Sequence, residues 1–132
     1  MSNHPGILPT DGELMILQVL WDHGPCTVRR VHETLGDEGS RGVRYTTTLK
    51  IMQNMFEKHL VARDERRLAH VYQAAVEREP VQRRLLKQFV GRTFSGSVGK
   101  LVLQALAAGE VSPAELREIR KLLSRAAKGE KP

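Results

Sequence analysis

The chain contains one cysteine, Cys26, among 132 residues. This excludes an internal disulfide and a metal site built from several thiolates, and leaves Cys26 as a small core residue. Apolar runs fall far short of the roughly 20 residues that a membrane-spanning helix needs. The opening segment MSNHPGILPTDGE has neither the basic start nor the apolar block of a secretory signal, so a cytoplasmic protein without membrane insertion is expected. H-E-x-x-H, a glycine-rich phosphate loop and a nucleophile elbow are all missing. The five histidines, His4, His23, His32, His59 and His70, are scattered without metal-ligand spacing. These absences argue against an enzyme, and they call for no cofactor and no metal.

What is present is positive charge, unevenly placed. The net charge is +6 and the pI about 9.9. Residues 1–38 hold two bases against six acids, residues 39–76 seven against three, and residues 77–132 twelve against six. The first part is therefore polarised, as a module that docks one face on a phosphate backbone can be. A solvated mixed surface gives the same pattern, so charge alone does not decide.

Periodicity and caps divide the chain. Thr10 and Glu13 form a T-x-x-E capping box, followed by Leu14, Leu17, Leu20 and Trp21 at helical spacing until Gly24-Pro25. Thr27 caps a second, short helix with Val28, Val31 and Leu35 on one side and Gly36 at its end. The glycine-rich GDEGSRG reads as a loop. A third helix, near 44–59, aligns Thr48, Leu49, Met52, Met55, Phe56 and Leu60 on one face. Arg44, Thr46, Thr47, Lys50, Gln53, Asn54 and Glu57 then face away. Two short strands, 60–64 and 70–74, flank a turn carrying Arg66 and Arg67.

Three short helices followed by a basic β-hairpin is the element order of a winged helix-turn-helix, in which the third helix enters the major groove and a basic wing near 63–70 meets phosphate. Such a role explains why the third helix opens on Thr46, Thr47 and Thr48, three poor helix formers. Free first-turn amides and short hydroxyls suit phosphate and base edges, and Lys50, Gln53 and Asn54 reach further into the groove. The candidate DNA-binding set is Arg44, Tyr45, Thr46, Thr47, Lys50, Gln53, Asn54, Arg66 and Arg67. Thr46 or Tyr45 can be no more than a helix cap, and a polar helix face can simply be solvated.

The stretch YTTTLKIMQNMFEKHLV resembles the Y-T-T-V-x-x-x-L-x-R-L-x-x-K-G-L-V helix of the BlaI/MecI penicillinase-repressor family. The resemblance extends upstream to LPTDGELMILQVLWDHGPCTVRRV and downstream to GKLVLQALAAGEVSPAELREIRKLL, from about Leu8 to Leu123. It implies a winged-helix repressor that binds palindromic operators as a homodimer through its C-terminal helices. In some members a membrane-bound sensor metallopeptidase pathway leads to cleavage at an Asn-Phe bond. The similar position here is Gln104-Ala105. Further departures are Thr48 for an apolar residue, Asn54 for arginine and His59 for glycine. The family's copper-responsive branch has a cysteine-rich C-terminal motif, and SRAAKGEKP has no cysteine.

Independently of that resemblance, the C-terminal part looks built for association. Glu79-Pro80 starts a helix with Val81, Leu85, Phe89 and Val90, ending near SGSVG. After Ser97 a second carries Val98, Leu101, Val102, Ala105 and Leu106 as far as Gly109. Ser112-Pro113-Ala114-Glu115 caps a last helix in which Leu116, Ile119, Leu122 and Leu123 are expected to be buried. Some 56 helical residues bury little area without a partner, so a two-fold dimer is expected. The candidate dimerisation residues are Phe89, Leu101, Val102, Leu106, Leu116, Ile119 and Leu123. The expected fold is thus mainly α with a small β-hairpin: a winged helix-turn-helix domain, 1–76, then a helical dimerisation region, 77–132. The competing function is a winged-helix protein-interaction module without sequence-specific DNA binding.

Overall fold

A computed structural model describes residues 8–36 and 42–129. The expected loop at 36–42 lies largely outside them. In chain order the elements are α1 (Asp11–His23), β1 (Cys26–Thr27), α2 (Val28–Leu35), α3 (Tyr45–Glu57), β2 (Val61–Asp64), β3 (Val71–Ala74), α4 (Arg78–Thr93), α5 (Val98–Ala107) and α6 (Pro113–Ala127). This is a winged-helix domain plus a helical C-terminal region. The chain forms two compact units, residues 1–85 and 86–132, with the boundary inside α4.

In the first unit the expected capping box closes α1. The Glu13 amide donates to Thr10 Oγ1 at 3.2 Å and the Thr10 amide donates to Glu13 Oε1 at 2.9 Å. Leu17 and Leu20 are buried as the spacing predicts, joined by Ile16 and Val19. Trp21 Nε1 donates to the Val76 carbonyl at 3.0 Å, tying α1 to the residues that lead into α4. Thr27 caps α2, accepting from the Arg30 amide, and Val28 and Val31 are buried. On α3, Met52 and Met55 are fully buried and Thr48 nearly so. These residues form one core with Cys26, Leu60, Val61 and Tyr72. At roughly 1.5–3 kcal/mol per fully buried large apolar side chain, that shared core fixes the three helices against the sheet.

The sheet holds one strand more than the hairpin expected. Its order is β1-β3-β2, all antiparallel, with Cys26 opposite Tyr72 and Arg63 opposite Tyr72 on the other side. Two residues of β1 give too short a run for alternation to show. The hairpin strands begin one residue later than the sequence suggests, at Val61 and Val71. The turn out of α3 is a Schellman motif: the Leu60 amide donates to the Met55 carbonyl at 2.9 Å and the His59 amide to the Phe56 carbonyl at 3.1 Å. His59, where the resemblance leads one to expect glycine, holds the left-handed position at φ 65°.

In the second unit α4 ends in a turn through Ser95 and Gly96, both at positive φ, with the Gly96 amide bonded to the Val90 carbonyl. Phe89 and Phe94 meet edge to face with centroids 5.9 Å apart. The Ser112–Glu115 capping box opens α6 with Pro113 in its first turn, as expected. The expected burial of Leu122 and Leu123 is not found. No residue of α5 or α6 is buried within the single chain, and Leu123 is 56 % exposed. The apolar stripes exist, but so few helical residues cannot cover one another.

Glu13 has a second task that local reading did not reveal. Its Oε2 lies 2.6 Å from Lys58 Nζ, joining the start of α1 to the end of α3, and its side chain is buried whereas that of Lys58 is 42 % exposed. Removing the cation leaves a buried carboxylate unpaired. Lys58→Met is expected to cost about 1–2 kcal/mol in urea unfolding, below the value for a fully buried pair because solvent reaches the lysine. Arg83→Met, which breaks the exposed 3.9 Å pair with Glu79, should stay within about 0.5 kcal/mol. Equal effects would show that the Glu13 pair is merely a surface contact.

Candidate nucleic-acid interface

Burying Thr48, Met52 and Met55 decides where the rest of α3 points. With 3.6 residues per turn, Thr46, Thr47, Lys50, Gln53 and Asn54 fall on the opposite side, and all five are exposed, as is Arg44. The structure thus brings most of the residues singled out in the sequence onto one helix face. Tyr45 differs: its half-buried ring packs inward, edge to face with His32 at 5.8 Å and under the Arg29 guanidinium at 5.0 Å. It supports the helix start, and only its outer edge is open.

The start of α3 also differs chemically from those of α1, α2, α5 and α6. Each of these has a threonine or serine at the N-cap accepting a backbone amide. At α3 the N-cap is Arg44, whose side chain makes no cap bond. Its carbonyl receives the Thr47 and Thr48 amides at 3.0 and 3.2 Å. An arginine and two threonine hydroxyls therefore stand at the positive end of the helix dipole, a combination suited to an anionic oxygen.

The wing, residues 65–70 between β2 and β3, separates arginines that look equivalent in sequence. Arg66 is gripped by Asp64 through Nε to Oδ1 at 3.0 Å and Nη2 to Oδ2 at 2.8 Å, with the Arg66 amide also on Oδ1. Its side chain is nonetheless 88 % exposed. Arg63, not singled out in the sequence, lies over the Phe56 ring at 3.9 Å and bonds Glu65 at 2.6 Å, bracing β2 on α3. Arg67 is exposed. The Asp64 grip holds Arg66 in a fixed pose and offsets part of its charge, so the two wing arginines are not interchangeable.

Between α3 and the wing runs an open groove of about 610 Å³, with Arg29, Tyr45, Gln53, Leu68, His70 and Tyr72 among its walls. Arg29 and His70 belong to this surface, although the sequence does not single them out for it. Arg29 sits in the first turn of α2, and nothing in its local sequence distinguishes it from a solvated arginine. Leu68 stands fully exposed in the turn. Among the described residues no group of histidine, cysteine, aspartate or glutamate could hold a metal ion, and no helix is long and apolar enough to cross a membrane.

A family model described as penicillinase repressor matches residues 9–125, which takes in α1 to the last turns of α6. None of the curated proteins with which the chain was compared matches it.

Hydrogen bonds from the Arg66 guanidinium, and next from the Arg66 backbone amide, hold the Asp64 carboxyl well below its ordinary value near 3.9. A depressed carboxyl pKa contributes stability above the unfolded value, and that contribution disappears as pH falls through the folded one. The wing pair should therefore survive acidification through about pH 4, where an ordinary aspartate is half protonated. Carboxyl-carbon NMR titration checks this: Asp64 should remain ionised there, and Arg66→Ala, which keeps the backbone amide bond, should raise its midpoint toward the ordinary range. A normal midpoint in the unsubstituted chain would show that the grip does not persist in solution.

Proposed function

We propose that this chain, which belongs to the penicillinase-repressor family of DNA-binding transcriptional repressors, reads a palindromic operator as a homodimer through α3 and the wing. Thr46, Thr47, Lys50, Gln53 and Asn54 meet base edges, while Arg44, Arg66 and Arg67 meet phosphate. The observation that carries this reading is the outward face of α3: five exposed hydrogen-bonding side chains in register behind an N-terminus without a side-chain cap. Lysine, glutamine and asparagine reach the acceptors and donors of purines, and a threonine methyl fits against that of thymine.

The dimer is supported by the second unit. Phe89 and Leu123 are exposed, and Leu101, Val102, Leu106, Leu116 and Ile119 are half-buried, with α5 and α6 burying nothing fully by themselves. Covering such stripes with a second copy removes them from water, and a two-fold axis relates two α3 helices to two inverted half-sites. Half-site spacing then follows the helical repeat of roughly 10 base pairs or a multiple of it. A sensor metallopeptidase pathway is a partner that the family resemblance implies, while the family's Asn-Phe bond is replaced here by Gln104-Ala105. Gln104 is exposed and Ala105 half-buried on α5.

Binding to a duplex selected from a random pool should weaken with salt at a log–log slope of about −0.9 per neutralised phosphate. Replacing Arg66 and Arg67 by alanine should flatten the slope by about 0.9 for each phosphate no longer neutralised, with little change in the preferred sequence. Lys50→Ala should instead relax preference at one base pair per half-site, by roughly 1–3 kcal/mol. Recovery of no preferred sequence at moderate salt would overturn the reading and leave a protein-interaction module in its place.

A further inference from the structure

We infer that Arg29, His32, Tyr45 and Thr48 form a clasp that sets the angle of α3, with His32 and Thr48 as positioning residues for operator discrimination; this rests on the DNA reading above. His32 Nδ1 and Thr48 Oγ1 are 2.8 Å apart. The His32 ring meets Tyr45 edge to face at 86°, and the Arg29 guanidinium lies over the face of the Tyr45 ring. Arg29 and His32 are three apart on α2, and Tyr45 and Thr48 are three apart on α3. Each pair therefore occupies one face of its helix, and the two faces close on each other.

Direct contacts between α2 and α3 give such a clasp its direction. In a compact helix-turn-helix a turn of three to four residues fixes the interhelical angle through the backbone. Here nine residues separate Leu35 from Tyr45, a connection longer than that turn. The buried Val31 and Met52 side chains share the apolar core that holds the helices together, but apolar attraction is non-directional. A hydrogen bond is directional. If α3 turned about its axis, the Thr48 hydroxyl would leave the imidazole, and Thr46, Thr47 and Lys50 would swing by the same angle.

Thr48 also stands where the family pattern has an apolar residue. A buried hydroxyl without a partner is destabilising, so its presence is explained by the histidine opposite it, sixteen residues earlier. The bond forms in either imidazole tautomer, because a hydroxyl both donates and accepts.

The test compares Thr48→Val, which removes the hydroxyl with little change of shape, with Thr48→Ser, which keeps it. Each is titrated with the duplex selected by the unsubstituted chain and with a scrambled duplex of equal length and composition. Thr48→Val should lose discrimination between the two by about fivefold, within the range for residues coupled through a neighbour. Thr48→Ser should keep it, and the salt slope on the scrambled duplex should be unchanged in both. His32→Leu should resemble Thr48→Val; should it unfold, the valine and serine variants decide alone. Undiminished discrimination in folded Thr48→Val overturns the clasp and leaves the DNA reading intact. An unsubstituted chain without discrimination overturns both.

Discussion

The functional surface depends on a single packing constraint: α3 must bury the side that carries Thr48, Met52 and Met55. Burial of these side chains beside Val31, Ile16 and Tyr72 decides which side of the helix faces inward. Everything proposed for DNA follows from it, because the outward residues are defined as those the core does not take. The same constraint explains the contacts that frame the helix. Lys58 ties its end to Glu13, His32 and Tyr45 brace its start, and Arg63 on β2 lies across Phe56.

The two units meet their burial requirements differently. The first closes a core from three helices and three short strands, and α3 turns a polar face outward from it. The second buries Val90 but leaves leucines, a valine and a phenylalanine open on three helical segments. Isolated exposed apolar residues are ordinary, whereas the stripes along α5 and α6, which bury nothing fully, are the surface that the proposed second copy covers. The proposed dimer draws on both properties: the first unit presents α3, and the second supplies the apolar surface for association.

How much of this was legible in the sequence depended on the range of the interaction. The caps at Thr10, Thr27 and Ser112 and the inward face of α3 follow from neighbours within four residues, and they stand as the spacing predicts. β1 was not legible because two residues cannot display a period. Leu122 and Leu123 were expected inside because a helical stripe shows only which side is apolar, not whether this chain or another covers it. The site divided in the same way. The exposed face of α3 was readable, but the inward turn of Tyr45, the Thr48 bond to His32 and the place of Arg29 in the groove depend on how α2 crosses α3. The Asp64 grip on Arg66 spans two residues, yet it turns on the path of the wing, which alternation does not specify.

The most direct measurement is intermolecular NMR between the protein and its selected duplex, recording contacts from individual side chains to base protons. The account predicts cross-peaks from the Thr46 and Thr47 methyls and the Lys50 side chain to protons lining the major groove, with one set for each half-site. Tight, sequence-selective binding in which α3 shows no such contacts, and other elements do, would contradict it.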